Sequence, residues 1–508
     1  MAPSLFAAVD MGSSGVRSLV VDGDARPVGE AAVEVPVETA EPGQAEVSPD
    51  AIWGGVLGTL RRALEQATAT RPGARLEGIG LSSALFTLLG VDAGGQPVTP
   101  VYTWMDRRAA PEVAAYRHDP VARSLYRRTG CPLHALHPLA KVRWLRRTRA
   151  ESFARAARWI SAKEYVLSRW FGRYVVDVSI ASSTGYFNIL THDWDDEALA
   201  FAGLRRSQLS DPVDAAFALT GMDPAIASYL GIDPATPVAA GAGDGMLAHV
   251  ASGGTGPSVF SSTVGTSGAV RVLHDRPLLD PLQRTWCYCL DRQWWVAGGA
   301  INNGGVVLQW LRRLLVQVAS PDGNRGLSYQ EFDRLAASVP PGSRGLVFVP
   351  LLTGERSPGW NDRASGVVAG LRIDHGPADW ARAAMEGVTY RMLQVYRALV
   401  ELTGAEGELR ASGGYTRSET WLQMQADVFG RPVTALELRE ASALGAAIAA
   451  MKAVGFIESW AAAGRLVASG RRYRPDPDRH AVYRRGYEVF QKVYAAMEPL
   501  FDELAGLA

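Results

Sequence analysis

Three cysteines among 508 residues, Cys131, Cys287 and Cys289, are too few for a disulfide framework. Cys287 and Cys289 fall on one face of a strand-like run, but no second pair completes a metal site. Small buried hydrophobes in a reducing compartment account for all three. Lysine is almost as scarce: only Lys141, Lys163, Lys452 and Lys492 occur, and the rest of the 52 basic residues are arginine. No Gly-Lys-Ser/Thr exists, which excludes a lysine-dependent P-loop. A formal net charge of +0 removes any general attraction to nucleic acid or to an anionic membrane. Neither a signal-peptide pattern nor an apolar run of about 18 residues is present, so a cytoplasmic protein with no membrane partner is expected.

What remains is ample core-forming material, 47% hydrophobic and 20% charged residues, in a chain too long for one ordinary core. Two large domains are the expectation. Near the middle, an apolar strand (Pro237 to Ala240) meets Gly241-Ala242-Gly243, then Asp244 and Gly245, then a helix-compatible run from Met246 to Ala251. An acid on a Gly-rich strand-to-helix turn stands where α/β proteins place chemistry, because glycines admit a substrate close to the backbone. The alternative is a tight turn whose Asp caps the following helix.

The N-terminal stretch has a related shape. Leu5 to Asp10 is a buried-strand pattern, Met11 to Arg17 (MGSSGVR) a turn of small residues, and Ser18 to Asp22 a returning strand. Amides at Gly12, Ser13 and Ser14 suit phosphate oxygens, and the carboxylate of Asp10 can hold Mg²⁺ through water. Taken alone, an ordinary β-hairpin explains this stretch nearly as well. After Gly254 the plan recurs: Val259 to Val264, the turn Gly265-Thr266-Ser267-Gly268, then Ala269 to Leu273. Repetition implies two related lobes, each giving one phosphate-facing hairpin to a cleft, as in the actin-like ATPases with a five-stranded sheet per lobe.

Other segments fit that cleft. Gly78 to Leu89 is a buried strand, and Asp177 to Asn188 a small, hydroxyl-rich loop close to the ligand. Thr103 to Arg108 (TWMDRR) brings together an indole, a carboxylate and two guanidiniums, which suits a polyhydroxylated or anionic ligand; a surface salt-bridge cluster is the alternative. Trp294 to Gly305 is a strand, a glycine turn and a helix start. Gly413 and Gly414, with Tyr415, precede the helix Ser418 to Phe429, where a base or a phosphate can rest on the backbone. The tail carries an amphipathic helix, Tyr483 to Leu507.

These residues resemble the FGGY family of carbohydrate kinases over nearly the full length. The ordered matches are VDMGSSGVRSLVVD, PGQAEVSPDAIW, TWMDRR, GAGDG, STVGTSG, GERSPGWN and ASGGYTRSETWLQMQADVFGRPV, followed by ELREASALGAAIAA. The resemblance implies an α/β fold of two actin-like (ribonuclease H-like) lobes, an N-terminal one over 1–252 and a C-terminal one over 253–508. It implies ATP and Mg²⁺ as cofactors, a small-molecule sugar or sugar acid as partner, and Asp244 as the catalytic base, with Asp10 and Asp244 at the metal. Phosphate and nucleotide contacts fall on Gly12, Ser13, Ser14 and Arg17, on Gly265, Thr266, Ser267 and Gly305, and on Gly413, Gly414 and Tyr415. Substrate contacts fall on Leu85, Phe86, Trp104, Asp106, Arg108, Asp244 and Gly245, with Arg107 or Arg108 as the cation for an acid. A homodimer is compatible with this reading.

Within the family, TGCPLHALHPLAKVRWL, ISAKEYVLSRWFGRYVVDVSIASSTGYFN and WVAGGAINNGGVVLQW look like the gluconokinase branch. Phosphorylation of D-gluconate at a primary hydroxyl, giving 6-phosphogluconate, is the implied activity; a xylulokinase or other pentulose or polyol kinase is the alternative. One departure bears on this choice: Ala84-Leu85-Phe86 stands where relatives commonly carry Gln-Met-His. A polymerising nucleotide-dependent scaffold would keep both hairpins but would need neither TWMDRR nor an acid at 244.

Overall fold

Strand-forming runs at the start of each half of the chain nucleate two mixed sheets of the same plan. The computed structural model describes residues 3–507 apart from 117–118, 320–326, 438–439 and 468–469. Leu438 and Arg439, within the last matched segment, therefore lie outside the described residues. In the first half, β1 (Ser4–Met11), β2 (Gly15–Asp22), β3 (Pro27–Glu34), β4 (Arg75–Ser83) and β5 (Val238–Gly243) stand side by side in the order β5-β4-β1-β2-β3. β1 runs antiparallel to β2 and parallel to β4, and β4 runs parallel to β5. Both faces of the central β1 are covered, which explains why SLFAAVDM is a continuous apolar run rather than an alternating one.

The second half repeats this with β6 (Val259–Val264), β7 (Gly268–His274), β8 (Trp295–Ile301), β9 (Glu408–Ser412) and β10 (Val433–Ala435). Here β6 is antiparallel to β7 and parallel to β9, and β9 is parallel to β10. The five-stranded expectation needs a correction at the edges. Ala218–Leu219 adds a sixth strand beside β5, and Trp286–Cys289 and Arg471–Tyr473 extend the second sheet to seven.

Helices seal the sheets. α1 (Pro49–Thr70) starts where the sequence signals it, with Ser48 accepting a hydrogen bond from the Ala51 amide and Pro49 in the first turn. α2 (Asp244–Ala251) follows β5 directly; α3 (Gly305–Ala319) follows β8; α4 (Pro377–Thr403) spans the second lobe. α5 (Ala441–Ala453) comes from the second half of the chain yet packs on β4, β1 and α2 of the first. Glycines allow the approach: a Cβ on Gly80 would lie 1.8 Å from the Ala446 carbonyl oxygen, and one on Gly445 would lie 2.2 Å from that of Leu247. The strands of the first sheet end by Gly243 and those of the second begin at Val259, but the helical layers are not divided in the same way.

Other local expectations are also revised. β4 ends at Ser83 and a separate strand, Leu89–Val91, follows a turn in which Phe86 takes a left-handed φ of 67°. The segment from Asp177 is not a loop: Val178–Ser182 is a buried helical turn capped by the Asp177 side chain. The tail helix, α6 (Pro477–Met497), begins earlier and stops sooner than expected, and buries Tyr483, Tyr487 and Phe490 in the second lobe. Among the described residues no helix is long and apolar enough to cross a membrane. All three cysteines are buried and free.

Candidate active site

The carboxyl-terminal ends of β1, β4 and β5 meet in register, with Asp10 opposite Ser82 and Gly243 opposite Ser83. This is the edge of a parallel sheet where ligands bind. Asp10 is buried there, and its Oδ1 accepts a hydrogen bond from Ser82 Oγ at 2.6 Å. Burial, reinforced by the charge of Asp244, pushes its carboxyl up to about 7. Asp244 is the first residue of α2, and burial raises its carboxyl as well, opposed by the Gly245 amide that donates to its Oδ1 at 2.6 Å and by Arg271 nearby. Neither acid is in an ion pair with a cation among the described residues. Two mutually repelling carboxylates, neither in a direct ion pair, are a donor set that fits a divalent metal ion.

The turn before Asp244 is held from behind. Gly241 takes a φ of 70° at a bulge between β5 and β4, and a Cβ there would sit 1.7 Å from the Leu81 carbonyl oxygen. Lys163, nearly inaccessible, donates to the Ala242 carbonyl at 3.1 Å and pairs with Asp177 Oδ2 at 2.6 Å. Ser179 Oγ accepts from the Gly243 amide at 3.0 Å. The Asp177 segment therefore serves the site as the support of this turn.

Both hairpins reach the cleft. In the first, the Gly12 amide donates to the Gly15 carbonyl at 2.9 Å, leaving Ser13 and Ser14 at the tip. In the second, the Gly265 amide donates to the Ser267 carbonyl at 2.9 Å. The start of α3 is tied to it, because the Gly305 amide donates to the Gly265 carbonyl at 2.7 Å, close enough that only glycine fits at 305. Arg17, at the base of the first hairpin, lies 3.3 Å from Glu440 ahead of α5.

Two cavities share the second hairpin as a wall. The smaller, about 230 Å³, holds Leu85, Phe86, Trp104, Asp244 and Gly245, with Ser13 and Ser267 from the hairpins. The larger, about 670 Å³, is lined by Gly265, Thr266, Gly305, Gly414 and Tyr415. Gly413 takes a φ of 96° beneath it, against the Val264 carbonyl, and Tyr415 donates its hydroxyl to Gln425 Oε1 at 2.6 Å. Phe86 is fixed by Lys141, whose buried ammonium donates to the carbonyls of Phe86 at 2.9 Å and Leu136 at 2.7 Å.

Asp106 and Arg108 are not brought into either cavity. Asp106 Oδ2 accepts from the Ala45 amide at 3.1 Å and from Arg108 Nη2 at 2.6 Å, and Arg108 also pairs with Glu46. The guanidinium lies over the ring of Trp144. The salt-bridge alternative describes this pair, because Glu46, about sixty residues upstream in sequence, takes the arginine's charge. Arg107 bridges to the second half by donating to the Thr353 carbonyl at 3.0 Å. Residues that sequence reasoning missed include Arg271, Tyr288, Arg356 and Trp360 in the smaller cavity and Arg312, Asp333 and Trp421 in the larger. Arg271 sits on a strand and Arg312 on α3 with no local signal for a ligand, whereas Arg356 and Trp360 fall within the GERSPGWN match, which assigned them no role.

Comparison with known proteins identifies the family. Residues 5–251 match the N-terminal domain of the FGGY family of carbohydrate kinases and residues 260–454 match its C-terminal domain. A gluconokinase of Bacillus subtilis (strain 168) is 34% identical over 505 residues, covering 99% of this chain and 98% of that protein. A glycerol kinase of Allorhizobium ampelinum is 30% identical over 491 residues, covering 93% of this chain and 94% of that one. Among solved structures, a gluconate kinase from Lactobacillus acidophilus superposes with a TM-score of 0.93 at 28% identity, over 99% of this chain and 100% of that one. A xylulose kinase from the same organism gives 0.92 at 27% identity, over 99% and 100%. Twin sheets, paired hairpins, an acid between them and these likenesses along the whole chain lead to one conclusion: the protein belongs to the FGGY family of carbohydrate kinases.

Proposed function

We propose that the chain transfers the γ-phosphoryl group of ATP to a primary hydroxyl of D-gluconate, forming 6-phosphogluconate, with Asp244 as general base. The observation that carries this reading is the second hairpin, which lines the larger cavity with Gly265 and Thr266 and the smaller one with Ser267. A nucleotide in the first cavity and a sugar acid in the second would meet across that turn. Adenosine rests on Gly413 and Gly414 beside Tyr415, and its phosphates are received by the hairpin amides of Ser13 and Ser14 and of Thr266 and Ser267. Asp10 and Asp244 are the residues that would hold Mg²⁺, which supplies neutralisation of phosphate charge when bound.

Asp244 accepts the hydroxyl proton as oxygen attacks phosphorus. Its raised pKa suits this role, since a base poised nearer neutrality transfers protons more effectively than an ordinary carboxylate. Leu85 and Phe86 close the cavity against water, and Trp104 offers a ring to the apolar face of the sugar chain. A coupled ADP-release assay over sugars and sugar acids tests the reading: gluconate should give the highest kcat/KM. The likeness to a xylulose kinase favours a second reading, a ketopentose acceptor, and a preference for D-xylulose would select it.

A further inference from the structure

Two guanidiniums in the smaller cavity make no direct ion pair among the described residues, although Asp244 lies near Arg271 and Asp362 near Arg356. Arg271, on β7, and Arg356, in the loop after Glu355, both line the space that holds Asp244. Other arginines nearby are matched: Arg108 with Asp106 and Glu46, and Arg391 with Glu355. Arg271 and Arg356 are in no ion pair among the described residues, and the Nε of each is buried without an acceptor. Arg356 Nη2 donates a hydrogen bond to the Ile301 carbonyl at 3.3 Å, and its guanidinium lies 4.9 Å from the centre of the Trp104 ring. Arg271 rests on the backbone of Gly245, where a Cβ would come within 2.9 Å of Nη2. The two cations are near enough to repel each other, and burial lowers both, Arg356 to about 10.

Buried, unpaired and adjacent positive charges are costly unless an anion completes them. Asp244 partly offsets Arg271 and Asp362 partly offsets Arg356, but burial and the second cation still weigh against both charges. We propose that Arg271 and Arg356 form the anion site that reads the carboxylate of a sugar-acid substrate, and so set the preference for an aldonate over a neutral polyol or ketose. This rests on the sugar-acid reading given above, and it moves the cation for the acid from Arg107 or Arg108 to residues of the second lobe. Guanidinium forks suit a carboxylate because two parallel N–H donors match its two oxygens. Their origin on the lobe opposite Leu85 and Phe86 means that an acid bound there would link the two lobes.

The test compares D-gluconate with D-gluconamide, which keeps the hydroxyls and lacks the charge, in full-length wild type and in Arg271→Met and Arg356→Met. ADP binding and thermal melting confirm folding. Loss of a charged hydrogen bond predicts that each variant lowers the acid-to-amide ratio of kcat/KM by about 10- to 100-fold. Arg271→Lys and Arg356→Lys, which keep the charge without the fork and so guard against misfolding, should lower it less, by about 3- to 10-fold. An unchanged ratio in both Met variants overturns the proposal. Equal losses on both substrates also overturn it, because the arginines would then serve the phosphoryl group. Wild type that turns over neutral sugars but no sugar acid sinks the gluconate reading and this inference together. Gluconate turnover with an unmoved ratio sinks only the inference.

Discussion

The indole N–H of Trp104 donates a hydrogen bond to Ser13 Oγ at 2.7 Å, joining the wall of the smaller cavity to the tip of the first hairpin. On the proposed function, a tryptophan placed by the sugar acid would therefore set the hairpin that receives the phosphates. Ser13→Ala removes the acceptor and keeps the turn. One neutral hydrogen bond contributes about 0.5–1.5 kcal/mol, so kcat/KM should fall roughly 2- to 12-fold. Trp104→Phe should show a similar loss, and the double variant no more than either alone. Full additivity in that double-mutant cycle would mean the two residues act separately.

The support beneath Asp244 should behave as a buried pair. Lys163 and Asp177 are 1% and 0% exposed and 2.6 Å apart, so removing one partner strands the other. Lys163→Met is expected to cost about 3–5 kcal/mol, and Lys163→Met with Asp177→Leu to recover a large part of it. Chemical denaturation measures both. A Lys163→Met protein as stable as wild type would show that the pair does not hold the turn.

A stability effect of pH follows from Asp10. Its folded pKa, about 7, lies above the ordinary 3.8, so the folded chain keeps a proton that the unfolded chain releases between those values. Free of ligands, the Asp10 contribution is thus fully favourable below about pH 4, is lost as pH rises through about 7, and changes no further above that. Asp10→Asn should flatten this part of the profile and gain stability relative to wild type above pH 7. Melting temperatures from pH 5 to 8.5 without nucleotide or metal decide it; parallel profiles for the two proteins would contradict the assignment.

Much of this site is written locally. The hairpins at Gly12 and Gly265, and the turn before Asp244, are legible because strand runs and small residues adjoin in sequence and the pattern occurs twice. What depends on distant partners is not. Asp106 and Arg108 look like ligand groups until Glu46 is seen to take the charge. α5 carries no mark of its destination, since an Ala-rich helix that is apolar on most sides fits any close-packed groove; Gly80 and Gly445 decide which one. Arg271 reads as an ordinary outward position on a strand, and only the lobe opposite turns it into part of a cavity. The edge strand Ala218–Leu219 and the three-residue Arg471–Tyr473 are too short for an alternating pattern to register.

The most direct measurement is the turnover of Asp244→Asn with saturating sugar acid and ATP, on protein shown by ADP binding and thermal melting to be folded. The amide cannot take the hydroxyl proton, so kcat should fall by about 10²- to 10⁴-fold while ADP still binds in the larger cavity. A folded Asp244→Asn enzyme turning over at close to the wild-type rate would contradict the account at its centre.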